Sequence, residues 1–294
     1  MISEIPALHS RTSHTPGRNH TSMNSLTGCL PAYIPRFNEG KVGEQYDPCS
    51  GMLIYSSPGW VGGRWMQVEC RYNHPDYNLN VEGSSHFLVR EGGKAVVRVR
   101  GDGDPSSVDI LDWEVLHGPV LVLALAMQGV WCLHASSVAR DGHTTIFLGN
   151  SGDGKSTLAA YLDGQPQPAW QRIADDILPV TLVDGTLEAR PGFPQLKLPL
   201  KAQPVFRLPV SLTVERIFVL HQVGKTARAE LKPLAPRQAA QELLRHTAGA
   251  RLFAPDLLAR HLGFCGQIAD KVPVFRLEYP HTLDALGQVK NLLE

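Results

Sequence analysis

Gly149-Asn150-Ser151-Gly152-Asp153-Gly154-Lys155-Ser156-Thr157 is the stretch whose reading decides the fold. Glycine, four residues, then Gly-Lys-Ser is the spacing of a phosphate-binding loop. Thr144-Thr145-Ile146-Phe147-Leu148 before it reads as a buried strand, and Leu158-Ala159-Ala160-Tyr161-Leu162 after it reads as a helix. Glycines at 149, 152 and 154 let the backbone turn tightly, with positive φ where required. A backbone so turned aims its N–H groups inward as an anion nest, and the helix beginning near Lys155 adds the positive end of its dipole. In such a loop Lys155 reaches the β- and γ-phosphates, and the Ser156 hydroxyl ligates Mg²⁺. The competing reading is an ordinary Gly-rich turn, which does not explain the strand and helix on either side. A second Gly-Lys-Thr, at Gly224-Lys225-Thr226, has Val219 at the first-glycine position, inside the strand-like run Arg216 to Leu220. It reads as a hairpin turn between strands over Glu215 to Gln222 and Ala227 to Leu231.

The rest of the chain sets bounds. Its 294 residues suffice for one large domain or two modest ones, and 43% of them are hydrophobic, enough for a sizeable core. Lys+Arg and Asp+Glu are both 28, so there is no one-sign field of the kind that binds nucleic acid or a membrane surface. The longest apolar run, Val120 to Met127, is too short to span a bilayer. The five cysteines are an odd count without Cys-x-x-Cys spacing, which favours free thiols in a reducing compartment over zinc or a disulfide framework. With no secretory signal visible, the expected location is cytoplasmic.

Three segments follow from composition. Residues 1–50 lack hydrophobic periodicity and read as a mobile arm, or as a peptide-binding arm that orders on contact; Met23 and Met52 read as alternative translation starts. Residues 51–105 carry short alternating runs separated by Pro58-Gly59, Gly62-Gly63, Glu82-Gly83 and Gly92-Gly93. They predict a small antiparallel sheet, closed by a linker at Gly101-Asp102-Gly103-Asp104-Pro105. Residues 106–294 hold the phosphate loop and form an α/β nucleotide-binding core. A buried helix is expected over Val108 to Gln128, with His117 as a packed histidine. Helices are also expected over Arg237 to Ala248, Asp256 to Leu262 and Thr282 to Leu293, with a strand over Val274 to Tyr279.

Two further places carry chemistry. Trp131 to Ala139 reads as a strand that turns at Asp141-Gly142 into the strand feeding the loop, which lays His134 beside the loop's origin. On position alone His134 is as readily a core histidine as a functional one. Gln171 to Val180 brings Asp175 and Asp176 together at a strand end. Phosphoryl transfer has two tasks for carboxylates, holding Mg²⁺ and accepting the proton of the attacking hydroxyl; a solvated turn is the alternative. Adjacent strand residues point to opposite faces, so both serve one site only if the strand ends or bends there. Pro191 to Leu198 could line a substrate cleft, with Arg190 or Lys197 steadying phosphate or simply lying on the surface.

His134, the loop and Asp175-Asp176 together resemble the HPr kinase/phosphorylase family. Leu133-His134-Ala135-Ser136-Ser137-Val138 is similar to that family's histidine-bearing strand. Gly149 to Ser156 is similar to its Gly-x-Ser-Gly-x-Gly-Lys-Ser loop, and Ala174-Asp175-Asp176 to its Asp-Asp segment. The resemblance implies a P-loop core like that of phosphoenolpyruvate carboxykinase, with ATP and Mg²⁺ as cofactors and a serine hydroxyl as acceptor. By carry-over Asp175 is the general base, Asp176 and Ser156 hold Mg²⁺, Lys155 and the loop through Thr157 hold the phosphates, and His134 sits near the reacting group. Thr157 stands where the family continues with Glu, and no segment for gripping the HPr carrier is found. The pattern is more similar to divergent HPr-kinase-like proteins of ribosomal peptide pathways, among them the lasso-peptide kinases. The partner so implied is a peptide or small protein, such as a ribosomal precursor peptide ending in serine. A homo-oligomer is compatible with the sequence. The rival readings are a kinase of a small-molecule alcohol and a non-catalytic nucleotide-binding regulator.

Overall fold

The computed structural model describes residues 35–40, 47, 49–61, 64–99, 110–166, 169–193 and 210–294. Within the segment expected to be a mobile arm lies a strand, β1 (Arg36–Gly40), which corrects that expectation for these residues. β2 (Met52–Val61), β3 (Arg64–Asn73), β4 (Asp76–Val81), β5 (His86–Arg90) and β6 (Ala95–Val99) form the antiparallel meander that the alternating runs predict. β1 joins it in parallel to β6, Arg36 opposite Ala95, giving the order β1-β6-β5-β4-β3-β2. Pro58-Gly59 is not the expected turn: it lies within β2, opposite Gln67 and Met66. β2 is an edge strand, where a proline's missing N–H leaves no gap between central strands. The linker at 101–105 and the turn at 62–63 lie outside the described residues.

Arg98 in β6 and Asp112 in α1 (Ile110–Val115) are both almost fully buried and meet at 3.1 Å. Asp112 also accepts from the Ser85 N–H at 2.7 Å and the Ser85 hydroxyl at 2.6 Å. This network ties the first sheet to the helical run that follows. That run is not the single helix expected. After α1 the backbone opens into a wide turn, Leu116–Val120, around Gly118 (φ −104°, ψ −108°) and Pro119, then resumes as α2 (Leu121–Met127). Proline supplies no N–H to the helical ladder, so the break falls there. His117 is a packed histidine: its Nδ1 lies 3.0 Å from the Trp113 carbonyl, its ring centroid 3.7 Å from that of Trp113, and burial lowers its pKa. Ile110–Met127 is long and apolar enough to cross a membrane, but 67% of it is buried within the fold.

The second sheet contains β7 (Trp131–Arg140), β8 (His143–Leu148), β9 (Gln171–Val183), β10 (Thr186–Ala189), β11 (Leu212–Val223), β12 (Glu230–Pro233) and β13 (Val274–Pro280). Its order is β10-β9-β7-β8-β11-β13-β12. β8, β11 and β13 run parallel; the other pairings are antiparallel, and β10 also reaches β11 at Glu188 and Thr213, so that end folds back on itself. The two-residue turns at Asp141-Gly142 and Asp184-Gly185 occur as expected, with both residues of each at positive φ. Gly224-Lys225 does form a turn, but the hairpin expected there is absent, because β13 inserts between β11 and β12.

α3 (Lys155–Asp163) and α6 (Leu283–Leu293) pack on the sheet through Leu158, Leu162, Leu286 and Val289, against Phe147, Phe218 and Leu277. α2 packs separately against Val130, Cys132 and Phe193. α4 (Pro236–Arg245) is followed by α5 (Pro255–Lys271), which runs well beyond the expected Leu262. Leu257, His261, Phe264, Cys265 and Ile268 keep one buried stripe through both glycines of that extension. Cys49, Cys70, Cys132 and Cys265 are free thiols.

Candidate phosphate-binding and carboxylate site

β8 is buried from Thr144 to Leu148 and delivers the chain directly into the loop, and α3 starts at Lys155. Lys155 is 7% exposed, and its Nζ donates to the carbonyls of Gly149 at 2.7 Å and Asn150 at 3.0 Å. The Asp153 carboxylate accepts from the Asn150 N–H at 2.5 Å, closing the loop on itself. Gly154 adopts a left-handed conformation, φ 90°, at the helix start. From outside, the Tyr279 hydroxyl donates to the Asp153 carbonyl at 3.0 Å; burial first, and Asp153 second, push that phenol up to about 12. The loop is thus held from β13 as well as by its own side chains.

The carboxylate pair stands across the sheet. It does not lie at a strand end, as expected, but inside the 13-residue β9. The register with β7 sets Ser136 opposite Asp175, Ala135 opposite Asp176 and His134 opposite Ile177. Ser136 Oγ donates to Asp175 Oδ1 at 2.9 Å, and Arg172 Nη1 lies 3.7 Å from Asp175 Oδ2. His134 Nε2 lies 3.4 Å from Asp176 Oδ1. Between Ser137↔Ala174 and Val138↔Arg172 the register shifts, leaving Ile173 as an extra residue. Such a bulge bends a strand and raises its twist. Both carboxylates line a single cleft despite being neighbours in sequence.

That cleft has a volume of about 370 Å³. Around it stand Asn150, Ser151, Gly152, Gly154, Lys155, Ser156 and Thr157 of the loop, facing His134, Asp175 and Asp176. Gly149 and Asp153 complete the loop behind this lining. Most of the loop, His134, Asp175 and Asp176 are therefore gathered at one place. Ser136, Tyr279, His281 and His246 were not expected. Ser136 was legible in principle, since it shares a strand face with His134; His281 lines the cleft from a distant segment, and Tyr279 and His246 touch Asp153 and His134 from others. His246 is 5% exposed, and its carbonyl accepts the His134 N–H at 2.7 Å. Burial, reinforced by Lys155, His134 and Arg245, lowers its imidazole to about 4, so it is neutral near neutral pH. Arg190, offered as a phosphate contact, lies 3.4 Å from Glu188 and is not part of the cleft lining; Lys197 lies outside the described residues.

No cluster of three or more His, Cys, Asp or Glu among the described residues makes a self-sufficient metal site. Ser156 and Asp176 supply a hydroxyl and a carboxylate to the same cleft. That donor set fits Mg²⁺, which binds through one or two protein oxygens and takes the remainder from water and phosphate.

No protein-family model matches the sequence, and no curated protein does. Among solved structures, the chain is similar to the Hpr(Ser) kinase/phosphatase from Coxiella burnetii. The identity is 14%, over 55% of this chain and 95% of that one, with a TM-score of 0.32. This is a distant likeness, and the chemistry of the site rests on its own residues.

Proposed function

We propose that this chain is an ATP-dependent phosphotransferase whose acceptor is a serine hydroxyl in a peptide. The observation that carries the reading is the cleft itself, in which the loop amides and Lys155 face the Asp175-Asp176 pair. Loop N–H groups and the ammonium of Lys155 are suited to grip the phosphates of the donor, and the start of α3 adds its dipole. Asp175 is held by Ser136 and faces Arg172, so its carboxylate has a fixed position from which to accept a proton. As the acceptor oxygen bonds to the γ-phosphorus, the bond from phosphorus to the β,γ-bridging oxygen breaks. The hydroxyl proton goes to Asp175, and ADP leaves with the bridging oxygen. Ser156 and Asp176 would hold Mg²⁺, which when bound neutralises charge on the phosphate oxygens. His134 steadies Asp176 and stands next to the transferring group.

A serine at the end of a ribosomal precursor peptide is the acceptor the sequence pattern favours. The test uses the full chain, γ-labelled ATP and Mg²⁺ with candidate precursor peptides and, separately, small alcohols. Asp175→Asn is expected to lower transfer by roughly 10²–10⁴-fold, the usual worth of a positioned base, while nucleotide still binds. Full activity in that variant would remove Asp175 from the base role. Label on alcohols alone would replace the peptide, and tight nucleotide binding without any acceptor label would favour a regulator.

A further inference from the structure

A second cavity, of about 400 Å³, lies between the first sheet and the connection from α4 to α5. Its walls are largely apolar: Tyr55 and Val61 of β2, Val68 of β3, Pro119 of the wide turn, and Leu252. The charged residues among the described lining are Arg245 and Arg251, with no carboxylate. Arg245 ends α4 with a side chain 65% exposed, 3.9 Å from Glu242. Arg251 is exposed and makes no hydrogen bond or ion pair among the described residues.

The connection bearing these arginines is fixed in place. Its His246 carbonyl accepts the His134 N–H at 2.7 Å, and the Ala248 N–H donates to Cys132 at 2.8 Å. Thr247 bridges to Leu133. Gly249 turns at φ +71°, where an added Cβ would stand 2.7 Å from Val122 Cγ1. Cys70 Sγ lies 3.8 Å from the Leu252 carbonyl on the far side. The wall of the groove is therefore stitched to β7 at His134, a residue of the phosphate cleft.

We infer that this groove docks an acidic segment of the acceptor peptide, with an apolar side chain on Tyr55, Val61 and Pro119 and side-chain carboxylates on Arg245 and Arg251. The inference rests on the peptide-kinase reading for its occupant. Charge complementarity favours a carboxylate ligand: two guanidiniums face an apolar floor with no acidic neighbour in the lining, and a chain without net charge offers no wider field for a nucleic acid.

The experiment uses the full chain and three short, fluorescein-labelled, C-terminally amidated peptides. Each has one central serine; the other positions alternate leucine with glutamate, glutamine or lysine. By fluorescence anisotropy the glutamate peptide is expected to bind about ten-fold more tightly than the glutamine peptide. Arg245→Gln with Arg251→Gln should bring the two peptides to equal affinity, with the circular dichroism spectrum and the affinity for a fluorescent ATP analogue unchanged. Equal binding of the glutamate and glutamine peptides to the parent protein would overturn the inference. So would a preference that survives the double substitution. Adding Mg²⁺ and γ-labelled ATP separates the two readings. Charge-selective binding supports the groove whether or not these peptides are phosphorylated, since the kinase reading is tested with the candidate precursor peptides, whereas phosphorylation without charge preference supports the kinase and sinks the groove.

Discussion

Gly154→Ala probes how the phosphate loop is held. The residue sits at φ +90°, where an L side chain costs about 1–2 kcal/mol. Its added Cβ would also stand 2.5 Å from Tyr279 Oη and 2.8 Å from His281 Nε2. Tyr279 is 1% exposed and its hydroxyl is engaged with the Asp153 carbonyl at 3.0 Å, so it has little room to retreat. Losing that hydrogen bond costs a further ~1 kcal/mol, for a total of about 2–3 kcal/mol. Gly152→Ala is the control. Gly152 has a similar φ, +93°, but nothing lies within 4 Å of its would-be Cβ, so only the backbone strain of about 1–2 kcal/mol applies. Urea unfolding of both variants measures the difference, and a fluorescent ATP analogue reports whether the loop still binds. Tyr279→Phe removes the clashing oxygen, so in a double-mutant cycle with Gly154→Ala it should recover about 1 kcal/mol. Equal costs for the two glycine substitutions, with no coupling to Tyr279→Phe, would refute the claim that β13 clamps the loop.

The remaining predictions concern the fold that carries the site. Burial lowers both His246 and His261 from 6.5 to about 4. Between those values the unfolded chain takes up protons that the folded one refuses, so stability is full above pH 6.5 and falls towards pH 4. Each histidine contributes on the order of 1 kcal/mol per pH unit in that window. Urea midpoints at pH 8 and pH 5 should differ accordingly, with a shallower fall in His261→Gln; equal midpoints would contradict it. Arg98→Met leaves the buried Asp112 carboxylate without its guanidinium and should cost roughly 3–5 kcal/mol in the same assay, a loss well under 1 kcal/mol counting against the pair as a structural tie.

The strand, glycine-rich turn and helix start from Thr144 to Leu162 were legible because they are local, set by consecutive residues. The hairpin turns at Asp141-Gly142 and Asp184-Gly185 were legible for the same reason. What escaped depends on partners far along the chain. β1 forms from Arg36–Gly40 because β6 offers an edge to it, and no local pattern announces that. The turn at Gly224-Lys225 is real, but whether it makes a hairpin is decided by β13, whose buried Val274, Leu277 and Tyr279 belong beside β11. Tyr279 braces Asp153 across 126 positions of sequence, which no spacing rule could reveal. Pro58-Gly59 misled because a proline is admissible in an edge strand, and only the sheet order shows that β2 is one.

The proposed division of labour between the two carboxylates can be weighed against the same long-range geometry. Strand alternation alone would send Asp175 and Asp176 to opposite faces, leaving one carboxylate for the cleft. Both nonetheless line the cleft, in unequal surroundings. Asp175 is 9% exposed and held at both oxygens, by Ser136 at 2.9 Å and Arg172 at 3.7 Å. Asp176 is 20% exposed and meets His134 at 3.4 Å. A proton acceptor must sit where the hydroxyl arrives, since misplacement by about 1 Å can lose a hundred-fold in rate. A ligand to a hydrated Mg²⁺ shares its ion with water and phosphate, and can follow it into place. On the proposed mechanism, the more buried carboxylate suits the proton and the more exposed one the hydrated metal.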